Sequence, residues 1–346
     1  MDNLAYLEED ADRKMSSNSL PNGCPEIISL EVMKPRGKSL EKKKYKYDEV
    51  YVGTQWAEVL VAIQGDRRKP ALMTYHDLGL NHITNFQAFF NYAGMEDILS
   101  VFCVYHVNAP GQEEGCQTLP EGFAYPTMDE LAEQLVEVLT HFQIPSIVGL
   151  GVGVGGNVLA RLAINYPSKV EALILINTVS TRVGWIEWGY QKVNLKNLRS
   201  KGVGQNVVDY LMWHHLGRDY YERAFDLAHA YSEYFQQKLN PINFAYFIES
   251  YIQRSDLGIS RDENDHHSKK LNVPVLNMTG WHSPHKEETV TLNARLNPAT
   301  SSWMKIQDCC MILEEQPGKI AEAIRLFLQG QGYAMKLAKW KHVKSS

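Results

Sequence analysis

The sequence predicts a doubly wound α/β fold, and three observations carry that expectation. Apolar, β-branched segments recur along residues 45–307 with helical stretches between them. The segment VGLGVGVGGNVLARLAINYP at residues 148–167 runs from an apolar strand through a glycine cluster into an amphipathic helix. An aromatic-rich stretch from about 180 to 270 then interrupts the alternation. Strands alternating with helices place a mostly parallel sheet between two helical layers, and a long interruption reads as an insertion over the sheet.

Residues 1–44 are polar and end in a lysine-rich run (Lys38, Lys42, Lys43 and Lys44), so a mobile arm is expected there. YKYDEVYVGT and WAEVLVAIQGD then read as two strands of an N-terminal antiparallel hairpin turning at Gly53. KPALMTYHDLG and SVFCVYHVNAPG are continuous apolar strands of the kind buried on both faces, with a helical stretch over residues 85–92 between them. Thr127 and Glu130 form a capping box ahead of Leu131, Leu135, Leu139 and Phe142 at helical spacing. SIVGL, EALILIN, VPVLNMTG and SSWMKIQ complete the strands, and PGKIAEAIRLFLQGQG is a closing helix stopped at Gly330. Within the interruption, Trp185, Trp188, Tyr231, Tyr234, Phe235, Phe244 and Phe247 recur at helical intervals, which predicts an inserted helical cap packed by its rings. The expected domains are thus an arm at 1–44, one α/β domain at 45–333 with its cap at about 180–270, and a basic tail at 334–346.

Composition narrows the function classes. The chain has 346 residues, 22% charged and 44% hydrophobic, with a net charge of −5 and a pI near 6.2. That balance argues against nucleic acid as a partner. No apolar run reaches the ~20 residues of a membrane span, and the acidic start MDNLAYLEED lacks the pattern of a signal peptide. Five cysteines with no CxxC pair suit a cytoplasmic chain with reduced thiols.

The glycine cluster formally satisfies GxGxxG, yet the next strand ends in Asn177, where a dinucleotide site needs an acidic residue. The register of a hydrolase nucleophile elbow, G-x-S-x-G, fits better: Gly151-Val152-Gly153-Val154-Gly155, with Gly153 at the serine position. Glycine adopts positive φ without steric cost, so the turn survives the loss of its side chain. The other two positions of a serine triad read Ser283, after the late strand MTG, for the acid, and Cys310, after KIQDC, for the histidine. Glycine cannot attack a carbonyl, and cysteine replaces imidazole poorly in moving a proton near neutral pH. The α/β-hydrolase order is therefore present with all three chemical positions changed.

No metal, cofactor or catalytic set is expected in their place. His282, His285 and His76 lack tight ligand spacing. Cys309 and Cys310 read as small core residues, and the His214–His215 and His266–His267 pairs as surface or packing residues.

LMTYHDLGLNH, HVNAPGQEEG, YPTMDELAEQL, GLGVGVGGNVLARLAINYP, ALILIN and EAIRLFLQGQGY together resemble the N-myc downstream-regulated (NDR) family, over about residues 45–333. The resemblance implies an α/β-hydrolase fold without a hydrolase triad, in cytoplasmic proteins of signalling, differentiation and stress responses. It implies a non-catalytic adaptor with protein partners. An enzyme with an unrecognised non-serine mechanism and a small-molecule carrier using the space between cap and sheet are the competing readings. The tail, with Lys336, Lys339, Lys341 and Lys344 around Trp340, carries the expectation of a weak, salt-sensitive contact with anionic membrane.

Overall fold

A computed structural model describes residues 47–262, 265 and 268–334. The arm at 1–44, the His266–His267 pair and the tail from 335 onward lie outside the described residues.

The sheet has eight strands: β1 (Asp48–Gly53), β2 (Glu58–Gln64), β3 (Ala71–Tyr75), β4 (Cys103–Val107), β5 (Ile147–Val152), β6 (Val170–Ile176), β7 (Val275–Gly280) and β8 (Ser301–Ile306). Their spatial order is β1-β2-β4-β3-β5-β6-β7-β8. The two pairings at the β1 end are antiparallel and the other five parallel. The hairpin turns just beyond Gly53, where the Thr54 amide donates to Ala57 O at 3.2 Å.

Side-chain alternation fills both faces. Met73, Tyr75, Leu173 and Leu175 point to one core, shared with helices α2 (Met128–His141) and α3 (Val154–Asn165). Leu72, Val104, Leu150 and Ile174 point to the other, shared with α1 (Glu96–Val101) and α9 (Pro317–Gly330). The Thr127 capping box at the start of α2 is formed in full. The closing helix extends through Gly330, and the positive φ that marks its end falls at Gly332 (90°), two residues later than expected.

The cap comprises α4 (Trp185–Lys201), α5 (Gln205–Leu216), α6 (Phe225–Gln237) and α7 (Pro241–Ile252), and α8 (Lys286–Arg295) follows β7. Buried Leu211, Phe235, Phe244 and Phe247 join the core on the α2–α3 side, so the cap is seated directly over the carboxyl ends of the parallel strands. That is where open α/β sheets hold their sites.

Candidate functional site

The elbow follows from the glycines. Gly153 follows β5 at φ 52°, ψ −112°, donates its amide to Ile176 O at 2.8 Å and caps the start of α3. A Cβ on Gly155 would overlap the Tyr75 carbonyl, and one on Gly156 the Thr178 hydroxyl. Those glycines let the start of α3 lie against β3 and the end of β6. Their role is close packing, and nothing about them requires a phosphate.

The loop after β3 brings Asp77 to the same point. A Cβ on Gly153 would overlap the Asp77 carboxylate, so this side chain occupies the space a nucleophile would need. Its Oδ1 accepts the amide of Val154 at 3.0 Å and that of Leu78 at 2.8 Å. In α/β hydrolases the amide after the nucleophile and an amide from the β3 loop bind the oxyanion of the reaction. Here the chain supplies its own anion to those donors.

The remaining oxygen of Asp77 faces the cap. Oδ2 lies 3.0 Å from His214 Nε2 and 3.7 Å from His215 Nδ1, both at the end of α5. His214 Nδ1 is 3.1 Å from His285 Nε2, extending the line of contacts to the loop after β7. Burial alone would raise Asp77, but the facing His214, His215 and Val154 amide outweigh it and hold the carboxylate well below its ordinary range. Burial, reinforced by His214, pulls His215 down to about 4 and His285 to about 3, so both rings are neutral at pH 7. His215 Nε2 meets Leu78 O at 2.8 Å and so donates its hydrogen there. His76 is pinned at both nitrogens: Nε2 accepts the Ala109 amide at 2.9 Å, and Nδ1 donates to Asp77 O at 2.8 Å.

Of the three positions read from the sequence, Gly153 faces Asp77, and Ser283 and Cys310 make contacts of their own. Ser283 is buried, and its Oγ accepts the backbone amide of His285 at 3.1 Å. Cys310 is buried too; its amide and that of Met311 donate to Glu315 Oε1 at 2.7 and 2.8 Å. Burial pushes the Cys309 thiol up to about 12, which suits an inert core residue. Of the three histidines weighed as ligands, His282 is exposed, His76 is spent on backbone groups, and His285 reaches the site through His214.

The surface half of the expectation for His214 and His215 is corrected: both are buried, and besides packing they are aimed at Asp77. Helical periodicity hides this, because neighbouring residues on a helix point about 100° apart. Asp77 was within reach of sequence reasoning, since YHDLG occupies the loop that carries an oxyanion donor in this fold.

What remains of the crevice is a cavity of about 20 Å³ lined by Asp77, Asn85, His214, His215, Met311 and Glu314. That is room for about one water, against the roughly 300–1,000 Å³ of a small-molecule site. A larger, open groove of about 590 Å³ at Asp256, Ile259, Ala294 and Arg295 shares none of these residues.

The strand order, elbow and cap define an α/β-hydrolase fold, and solved structures share it. An esterase from Thermogutta terrifontis superposes with a TM-score of 0.67 at 18% identity, covering 84% of this chain and all (100%) of that one. An enol-lactonase from Burkholderia xenovorans LB400 gives 0.64 at 18% identity, covering 81% of this chain and 100% of that one. The sequence narrows this class further: residues 49–335 match the model of the Ndr family, and the chain belongs to that family. It is 38% identical over 300 residues to Protein NDRG3 of Xenopus laevis, covering 85% of this chain and 78% of that protein. It is 37% identical over 266 residues to Protein NDRG1 of Xenopus tropicalis, covering 77% of this chain and 66% of that protein.

Proposed function

We propose that this chain acts by binding rather than by catalysis, as a signalling adaptor for protein partners in the cytoplasm, in differentiation or stress responses. One observation carries the reading: the Asp77 carboxylate stands in the nucleophile's space and occupies the donors that would stabilise an oxyanion. A hydrolase needs both free at the moment of attack. The cavity of about 20 Å³ also gives no support to a carrier of small molecules. The exposed apolar side chains of the cap, among them Trp185, Trp188 and Phe225, favour a role at the surface.

The test compares the natural chain with Gly153→Ser. A fluorophosphonate probe should label neither, and ester turnover should match denatured protein in both, because a restored serine meets Asp77. The substitution should also cost roughly 2–3 kcal/mol in chemical unfolding, through overpacking and a strained backbone. Saturable turnover by the natural chain, abolished by one substitution at Asp77 or His214, would overturn the reading. Pull-down or proximity labelling then identifies the partners.

A further inference from the structure

We propose that Asp77, His214 and His215 form a site for one divalent transition-metal ion, zinc by preference, which clasps the cap to the loop after β3. The inference goes beyond the adaptor reading and does not depend on it.

The three residues offer one carboxylate oxygen and two ring nitrogens, all within 4.8 Å of one another. Asp77 Oδ2 is 3.0 Å from His214 Nε2 and 3.7 Å from His215 Nδ1. Ligands ~2.0–2.2 Å from a tetrahedral zinc stand roughly 3–3.7 Å apart, so an ion fits among these atoms with small movements of the rings. Two imidazoles and a carboxylate suit zinc, iron(II) or their neighbours rather than calcium or magnesium.

The surrounding groups orient each donor. His215 gives its Nε2 hydrogen to Leu78 O at 2.8 Å, which leaves Nδ1 as the bare nitrogen turned toward Asp77. His214 is held from behind, its Nδ1 3.1 Å from His285 Nε2, with Nε2 turned toward Asp77. Asp77 Oδ1 is fixed by two backbone amides, and Oδ2 faces the rings. Such outer contacts set ring tautomer and aim in protein metal sites. The adjoining cavity of about 20 Å³ admits the ion, or one water completing its coordination, and nothing larger.

On binding, zinc would be held by Asp77 Oδ2, His214 Nε2 and His215 Nδ1 between cap and loop. A ligating imidazole must be neutral with its lone pair free, so His214 would bind as the tautomer whose hydrogen sits on Nδ1, facing His285 Nε2, with Nε2 bare toward the ion. No redox change is involved. All three side chains are buried, so the ion enters as the cap opens or as the chain folds.

The experiment uses tag-free full-length chain, equilibrated with zinc sulfate, stripped of loose metal by gel filtration and assayed by plasma mass spectrometry. Wild type should hold about one zinc per chain, and His215→Ala and Asp77→Asn less than about a tenth of that. Zinc should raise the melting temperature of wild type and leave that of His215→Ala unmoved. His266→Ala/His267→Ala controls for adventitious binding and should keep the full complement. If Asp77→Asn fails to fold, His215→Gln carries the same comparison. Wild type with less than about a tenth of a zinc per chain would overturn the site, leaving a hydrogen-bonded clasp alone. So would His215→Ala retaining its metal, or the His266/His267 double variant losing it.

Discussion

The cap has two faces of opposite character. Beneath it, Leu211, His214, His215 and Phe235 are buried against the β3 loop, and the polar groups of His214 and His215 meet Asp77, Leu78 and His285. On the outside, Trp185 is 80% exposed, Trp188 46% and Phe225 62%, with Val193 and Tyr221 also open. A working hydrolase would be expected to show the reverse: a crevice kept open beneath and an unremarkable surface above. The interior here has been closed by filling. A carboxylate stands where a nucleophile would project, and histidines occupy the substrate's side. The exposed apolar side chains of the cap lie outward.

The comparison is broken most severely at the elbow. Gly155→Ala places a methyl group against the carbonyl of Tyr75, a backbone atom at the carboxyl end of the β3–β5 pairing that cannot move aside. The expected cost is about 3 kcal/mol or more, at the upper end of overpacking effects. Gly156→Ala meets only the side chain of Thr178, which can rotate, and should cost about half as much. Urea unfolding of both variants checks the order. Equal, small effects would show that α3 is not packed as closely on the sheet as described.

This contrast also explains what was legible in the sequence. Strands, elbow, capping box and cap all announce themselves through local signals: β-branched runs, a strand–glycine–helix junction, a Thr-x-x-Glu pair and aromatic periodicity. The glycine at the serine position was readable for the same reason, because the elbow is a local turn. Asp77 meeting His214 was not. The two are 137 residues apart, and their contact depends on how the cap settles over the β3 loop. Nor was it legible that His285, two residues past the Ser283 expected at the acid position, would reach the centre through His214. A site built from loop ends is fixed by tertiary docking, which no periodicity encodes.

A smaller effect comes from Glu314, on the wall of the same cavity. The residue is partly exposed, but its carboxyl turns inward, with Oε1 3.4 Å from the Tyr231 hydroxyl. Burial, aided by the neighbouring Glu315, pushes it up to about 8. A carboxyl raised in the fold contributes stability in full below its unfolded value near 4.5, and that contribution is lost as pH rises toward 8. Glu314→Gln removes this dependence. Discounted for its partial exposure, the variant should be about 1–2 kcal/mol more stable than wild type at pH 8 and indistinguishable at pH 4. Thermal unfolding across that range, with chelator present throughout, decides it; parallel pH profiles would mean that Glu314 is ionised in the fold.

The outer face should give the smallest effect on stability and the largest on recognition. Trp185 and Trp188 lie one turn apart near the start of α4, and the Lys192 ammonium stands 5.8 Å from the centre of the Trp188 ring. Their exposed rings contribute little to the core, so Trp185→Ala/Trp188→Ala should change folding stability by less than about 0.5 kcal/mol. At an interface the same rings are the residue type that most often carries binding energy, about 2 kcal/mol or more when fully covered by a partner. A fall of about tenfold or more in partner capture, with unchanged melting temperature, is therefore expected from the double variant. Leu326→Ala, an exposed apolar residue on α9 at the opposite layer, is the matched control. Equal capture by the double variant and the control would move recognition away from the cap. A large loss of stability in the double variant would instead mean that these indoles pack against the domain, and that the outer face of the cap is less open than its exposure implies.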